Sequence, residues 1–138
     1  GAELAKRYGV RFRQWKIDVI VPVPLHKKKK WFRGYNQAEE IAGSLASRCG
    51  LDMIPNMLLR KRYTTPQSGL NDKQRQANIK GAFSFNHIYG EDDILGKNIL
   101  LVDDIYTTGS TLDECAEILR MAGARNVYFA CLCIGRDY

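Results

Sequence analysis

The chain has 138 residues, 45% hydrophobic and 26% charged, ordinary values for one globular domain with a buried core. They exclude whole-chain disorder, collagen and coiled coil. Lys plus Arg number 21 against 15 Asp plus Glu, a net charge of +6 that favours anionic partners: phosphorylated small molecules, nucleic acid or an acidic membrane face.

Gly1 to Arg13 mixes charged with short apolar residues, unlike a signal peptide, and the first residue is not Met, as in a trimmed or partial chain. The first clear strand is Asp18 to Val21, a β-branched run that predicts burial on both faces. Pro22 and Pro24 lack N–H donors and are expected to stop its ladder. A basic loop, His26 to Arg33, follows. From Asn36 the spacing of Ala38, Ile41, Ala42, Leu45 and Cys49 predicts a helix, with Asn36 and Glu39 at its start and Gly50 at its stop. Met53–Ile54 and Met57–Leu59 read as a short strand region interrupted by Pro55. Residues 61–80 are polar and basic without an apolar period, and loops this long in compact domains are usually functional or disordered. Within them, Asn71 to Ile79 has the length for a short helix. Ala82 to Phe85 alternates like an edge strand, and Asn98 to Val102 predicts a buried one. Leu112, Cys115, Ala116 and Leu119 mark a second long helix, with Thr111 and Glu114 as a capping box and Gly123 as its stop. Asn126 to Ile134 reads as a last strand, apolar on both faces. This alternation predicts an α/β fold with a central, mostly parallel sheet of four or five strands and helices on both sides.

No apolar run approaches the ~20 residues of a membrane-spanning helix. The cysteines, Cys49, Cys115, Cys131 and Cys133, fit no zinc spacing. Buried reduced thiols, and with them a cytoplasmic setting, are expected.

The chemistry concentrates between Ile99 and Leu112. A buried strand delivers Asp103 and Asp104 at its carboxyl end, where open α/β sheets bind ligands. Thr107, Thr108, Gly109, Ser110 and Thr111 then lead into a helix N-terminus, whose N–H groups and dipole favour an anion. Carboxylates at the entrance of an anion cradle suit a ligand with a phosphate at one end and hydroxyls or a metal at the other, such as a sugar phosphate. The same residues also fit a Mg²⁺ site of receiver type, or plain turn and helix caps.

Val102-Asp-Asp-Ile-Tyr-Thr-Thr-Gly-Ser-Thr111 resembles the phosphoribosyl-pyrophosphate (PRPP) motif of type I phosphoribosyltransferases. Pro22-Val-Pro-Leu-His-Lys27, Arg33-Gly-Tyr-Asn-Gln-Ala-Glu39, Thr65-Pro-Gln-Ser-Gly-Leu70, Arg75-Gln-Ala-Asn78 and Gly81-Ala-Phe83 resemble the ComF family, phosphoribosyltransferase-like proteins linked to DNA uptake in competent bacteria. Many members carry an N-terminal four-cysteine zinc module, which these residues lack, so residues 1–138 are expected to form a single phosphoribosyltransferase-like domain.

The resemblance implies a type I phosphoribosyltransferase fold with a flexible hood loop. It implies that Asp103 and Asp104 meet the ribose hydroxyls, directly or through Mg²⁺ carried by PRPP, and that Thr107 to Thr111 hold the 5′-phosphate. It puts the pyrophosphate at Leu25, His26, Lys27, Lys28 and Arg33, with Arg75 as a clamp and Gln67 and Asn78 on the hood. It leaves Lys29 and Lys30 as solvated charge, Asn36 as a cap, and Trp31 and Phe32 as packing or stacking surfaces. Two function classes follow. One is an enzyme that transfers ribose 5-phosphate from PRPP to an unidentified, nucleobase-like acceptor. The other is a non-enzymatic PRPP-binding partner of single-stranded DNA or a competence helicase. A homo-oligomer is compatible with either.

Overall fold

The computed structural model describes residues 13–24, 36–61, 81–106 and 110–134. Its elements in chain order are β1 (Val19–Pro22), α1 (Gln37–Cys49), β2 (Asp52–Met53), β3 (Leu58–Arg60), β4 (Phe83–Phe85), α2 (Glu91–Ile94), β5 (Asn98–Tyr106), α3 (Ser110–Ala122) and β6 (Asn126–Ile134). Four strands form a parallel sheet in the order β2-β1-β5-β6, and β3 pairs antiparallel with β4 in a separate two-stranded sheet. Every parallel neighbour is reached by a crossover, which accounts for a helix between β1 and β2 and between β5 and β6.

The two-residue period of the strands divides the core. Val19, Val21 and Val23 of the β1 region and Ile99 and Leu101 of β5 face α3, meeting Leu112, Cys115 and Leu119. The β3–β4 hairpin seals the same side with Met57, Leu58, Ala82 and Phe83. On the opposite face Ile20, Leu100 and Val102 pack against Ile41, Ala42, Leu45 and Ala46 of α1. Leu45, Leu100 and Leu101 are wholly buried, and burial of such a side chain contributes roughly 2 kcal/mol.

The ends of α1 follow the local rules. Asn36 is its extended N-cap, and Gly50 at φ 66° closes it with an N–H to the Ala46 carbonyl. α3 stops at Gly123, which has φ 123° and approaches Leu95 so closely that a Cβ there would lie 3.1 Å from Leu95 Cδ1.

Several expectations change. The β1 ladder runs through Pro22, in register with Val102, and Val23 N–H still donates to the Val102 carbonyl at 2.8 Å. Ladder bonds alternate sides, so the N–H that Pro22 lacks would face β2. That pairing has already ended, at Ile20 with Met53. The region around Pro55 divides between two sheets: β2 extends the parallel sheet, whereas β3 joins β4. α3 begins at Ser110, so Thr111 lies within the first turn, and Glu114 accepts from Gly81 N–H at 3.3 Å. β6 is an edge strand rather than one buried on both faces, and Phe129 is 38% exposed. No helix among the described residues is long and apolar enough to cross a membrane.

Candidate functional site

Parallel pairing brings the carboxyl ends of β1 and β5 to one end of the sheet. Asp103 stands on β5 there, half-buried and in register with Cys131 of β6. Asp104 is the next strand residue, and Ser110 opens α3. β5 therefore runs on through both acids to Tyr106, beyond the Val102 end expected from sequence, and α3 opens after it. Thr111, half-buried, is the second residue of α3. Thr107, Thr108 and Gly109 lie outside the described residues, as do Leu25, His26, Lys27, Lys28, Arg33, Gln67, Arg75 and Asn78.

The stems of the segments that hold those residues are described, and they gather at this end. Val23 N–H bonds the Val102 carbonyl at 2.8 Å, which ties the exit of β1 to the residue before Asp103. Asn36, at the entry to α1, donates from Nδ2 to the Val23 carbonyl at 3.1 Å. Arg60 pairs with Phe83 across the β3–β4 hairpin, and Lys61 N–H donates to the Ala82 carbonyl at 2.6 Å. The two stems of segment 62–80 are thus side by side. The bond from Gly81 N–H to Glu114 Oε1 fixes them to the first turns of α3.

Beneath this end lies Cys115, wholly buried on α3. Burial pushes its thiol well above the ordinary range. The negative charge of Asp103 raises it further, the Arg60 guanidinium acts in the opposite direction, and Glu114 adds a smaller upward push. The thiol thus feels the charges of Asp103, Arg60 and Glu114 together. The Arg60 guanidinium carbon sits 5.0 Å from the centre of the Phe83 ring, a cation–π contact that fixes its position.

Arg60 was not among the residues singled out by sequence, and Glu114 was singled out only as half of a capping box. Arg60 ends a short apolar run just before the polar segment, the one local signal it carries. Glu114 has the signature of a capping box, which conceals its contact with the hairpin.

Among the described residues no group of three or more His, Cys, Asp or Glu side chains is placed to hold a metal ion. A carboxylate at the sheet end fits Mg²⁺ differently, because that ion is commonly held by one or two carboxylates with substrate phosphates and water completing its shell. Asp103 is a donor of that chemistry.

Comparison with known proteins agrees with this frame. Residues 3–138 match the family model described as phosphoribosyl transferase domain. Competence protein F of Haemophilus influenzae is 37% identical over 125 residues, covering 90% of this chain and 54% of that protein. DNA utilization protein YhgH of Salmonella typhi is 37% identical over 116 residues, covering 84% of this chain and 49% of that protein. The chain spans about half the length of these relatives. Among solved structures, adenine phosphoribosyltransferase from Saccharomyces cerevisiae, complexed with an imino-altritol bisphosphate and adenine, superposes with a TM-score of 0.60 at 19% identity, over 96% of this chain and 64% of that one. Purine phosphoribosyltransferase from Pyrococcus horikoshii gives 0.59 at 19% identity, over 96% and 71%. These structures share the type I fold, with its central parallel sheet flanked by helices. The chain belongs to the phosphoribosyl transferase domain family, on its ComF branch.

Proposed function

We propose that this chain binds PRPP and transfers its ribose 5-phosphate to a nitrogen acceptor, with release of pyrophosphate, in a process that serves DNA uptake. The observation that carries this reading is the acid pair Asp103–Asp104 at the carboxyl end of a central strand, a few residues before the α3 N-terminus. Family membership and relatives named for competence and DNA utilization support it.

In this reading the carboxylates of Asp103 and Asp104 hold the ribose hydroxyls. Thr107 to Thr111 and the start of α3 surround the 5′-phosphate with N–H and hydroxyl donors. Leu25 to Lys28, Arg33 and Arg75 hold the pyrophosphate. As the C1–O bond lengthens, positive charge develops on the ring, and the two carboxylates favour it electrostatically. The acceptor nitrogen gives its electron pair to C1, and the pyrophosphate oxygen leaves with the electrons of the broken bond. Mg²⁺, when bound, screens the pyrophosphate charge and makes it a better leaving group. Little covalent work falls to the protein, so positioning and charge carry the catalysis. Gln67 and Asn78, with Arg75, belong to a hood that excludes water from a sugar prone to hydrolysis.

Calorimetric titration of PRPP with Mg²⁺ into the wild type and an Asp103→Asn/Asp104→Asn variant tests the site. Binding in the wild type that is lost in a variant of unchanged thermal stability is the expected result. Equal affinity in both proteins would refute the ribose assignment.

The DNA-related names of the relatives favour one alternative, a PRPP-binding partner of single-stranded DNA or a helicase without turnover. Arg75→Ala separates the two. Loss of pyrophosphate release with PRPP binding retained supports the enzyme. Salt-dependent DNA binding that disappears when Lys27 to Lys30 are changed to Ala supports the partner.

A further inference from the structure

Asn36 does more than a helix cap requires. It is buried, with 6% relative exposure, at the junction of β1 and α1. Oδ1 accepts from Ala38 N–H at 3.0 Å, which is the capping bond. Nδ2 donates to the Val23 carbonyl at 3.1 Å. The Asn36 carbonyl accepts from Glu40 N–H at 3.1 Å, the first turn of α1. Ser and Asp cap a helix about as well as Asn, and Thr somewhat less well. Of these four, only Asn offers an amide donor while its oxygen is engaged in the cap.

The second bond closes a circuit. Asn36 holds Val23, and Val23 N–H holds the carbonyl of Val102, the residue before Asp103. The two stems of segment 24–35 are thereby tied to each other and to the strand that bears the acid pair. We propose that Asn36 is a positioning residue: its amide clasps the stems of the segment carrying Lys27, Lys28 and Arg33 and fixes where pyrophosphate binds relative to Asp103. This rests on the PRPP reading above and assigns Asn36 a task in it.

The clasp and the cap separate by substitution. Asn36→Ser and Asn36→Thr keep an acceptor for the cap and remove the donor to Val23. Asn36→Asp keeps the cap and sets a carboxylate against the Val23 carbonyl. Each is titrated with two probes, inorganic pyrophosphate with Mg²⁺ and ribose 5-phosphate, alongside a thermal melt. The expected result is roughly tenfold weaker pyrophosphate binding, the scale of one buried hydrogen bond. Ribose 5-phosphate affinity, which depends on the acid pair and the α3 loop, stays within about twofold.

Parallel loss of both ligands would overturn the proposal and leave Asn36 as a determinant of the fold alone. Unchanged pyrophosphate affinity in both Asn36→Ser and Asn36→Thr would overturn it too, with the PRPP reading intact. A wild type that binds ribose 5-phosphate but no pyrophosphate would overturn the pyrophosphate assignment of segment 24–35, and the clasp with it.

Discussion

At the amino ends of β1, β5 and β6 the polar side chains are used up on one another. Asn98 N–H donates to Asp18 Oδ2 at 2.8 Å, and Asp18 N–H returns a bond to the Asn98 carbonyl at 2.8 Å. Asn98 Nδ2 donates to the carbonyls of Trp15 at 3.2 Å and Lys16 at 3.1 Å, while its Oδ1 accepts from Asn126 Nδ2 at 3.0 Å. Trp15 stacks on Tyr128 with ring centres 4.5 Å apart and planes 5° from parallel. Towards the other end of the same sheet β5 carries two adjacent acids before the start of α3, and the bonds of Asn36 to Val23 and of Gly81 to Glu114 tie the stems of the loops there. The contrast teaches a division of labour. The amino end locks three strands and the preceding turn in register, which leaves the carboxyl end free to carry ionisable residues at successive strand positions.

The largest expected effects come from one variant at each end. Asp103→Asn/Asp104→Asn should weaken PRPP binding more than about a hundredfold, since two charge-assisted contacts to hydroxyls are lost together. Its thermal midpoint should hold. Asn98→Ala should do the reverse. It removes two donors and one acceptor at a strand start and should cost about 2 kcal/mol, with PRPP affinity unchanged. Urea unfolding and calorimetry on the two proteins give all four numbers. If Asn98→Ala lost affinity while keeping stability, the division between the ends would be wrong.

Gly123 should give the next largest effect, again at the amino end. Its φ of 123° is strained for any L side chain, and an added Cβ would meet Leu95 Cδ1 at 3.1 Å and the Leu95 Cα at 3.4 Å. The Gly123 carbonyl also accepts from Gly96 N–H at 2.9 Å, joining the end of α3 to the turn before β5. Gly123→Ala should therefore destabilise by about 1–2 kcal/mol and leave ligand binding alone. A variant as stable as wild type in urea would show that the α3–α2 junction yields more readily than its geometry indicates.

How much of this was legible depends on the distance over which each feature is decided. α1 and its two caps are local: five apolar positions at helical spacing, Asn at one end and Gly at the other. β5 and the acid pair are equally local, and the motif names its own ligand class. The destinations of Met53 and Leu58 are not. Both lie in short apolar runs, yet one joins β1 and the other pairs with β4 beyond the polar segment, a choice made by partners far along the chain. The same limit hid the second bond of Asn36, which reaches Val23 across 13 positions, and the contact of Glu114 with Gly81 across 33. A capping pattern in sequence predicts the near bond and is silent about the far one.

The smallest expected effect tests the border between the two ends. Cys115 lies in the core beneath Asp103, and burial first, then the Asp103 charge, lifts its thiol well above the usual range. In the unfolded chain the thiol ionises near pH 8.5. Above that pH the unfolded state releases a proton that the folded state keeps, so it binds fewer protons and stability falls as pH rises. The contribution is whole below about pH 8 and is lost as pH climbs from the unfolded value toward the raised folded one, by at most about 1.4 kcal/mol per pH unit. Cys115→Ala has no such proton. The stability difference between wild type and Cys115→Ala, read by urea unfolding at pH 7.5 and 9.5, should shrink at the higher pH, while effects of lysines and tyrosines cancel between the two proteins. A difference that stays constant would mean the thiol ionises alike in both states, and the apolar core would then end below Cys115 instead of reaching the acid pair.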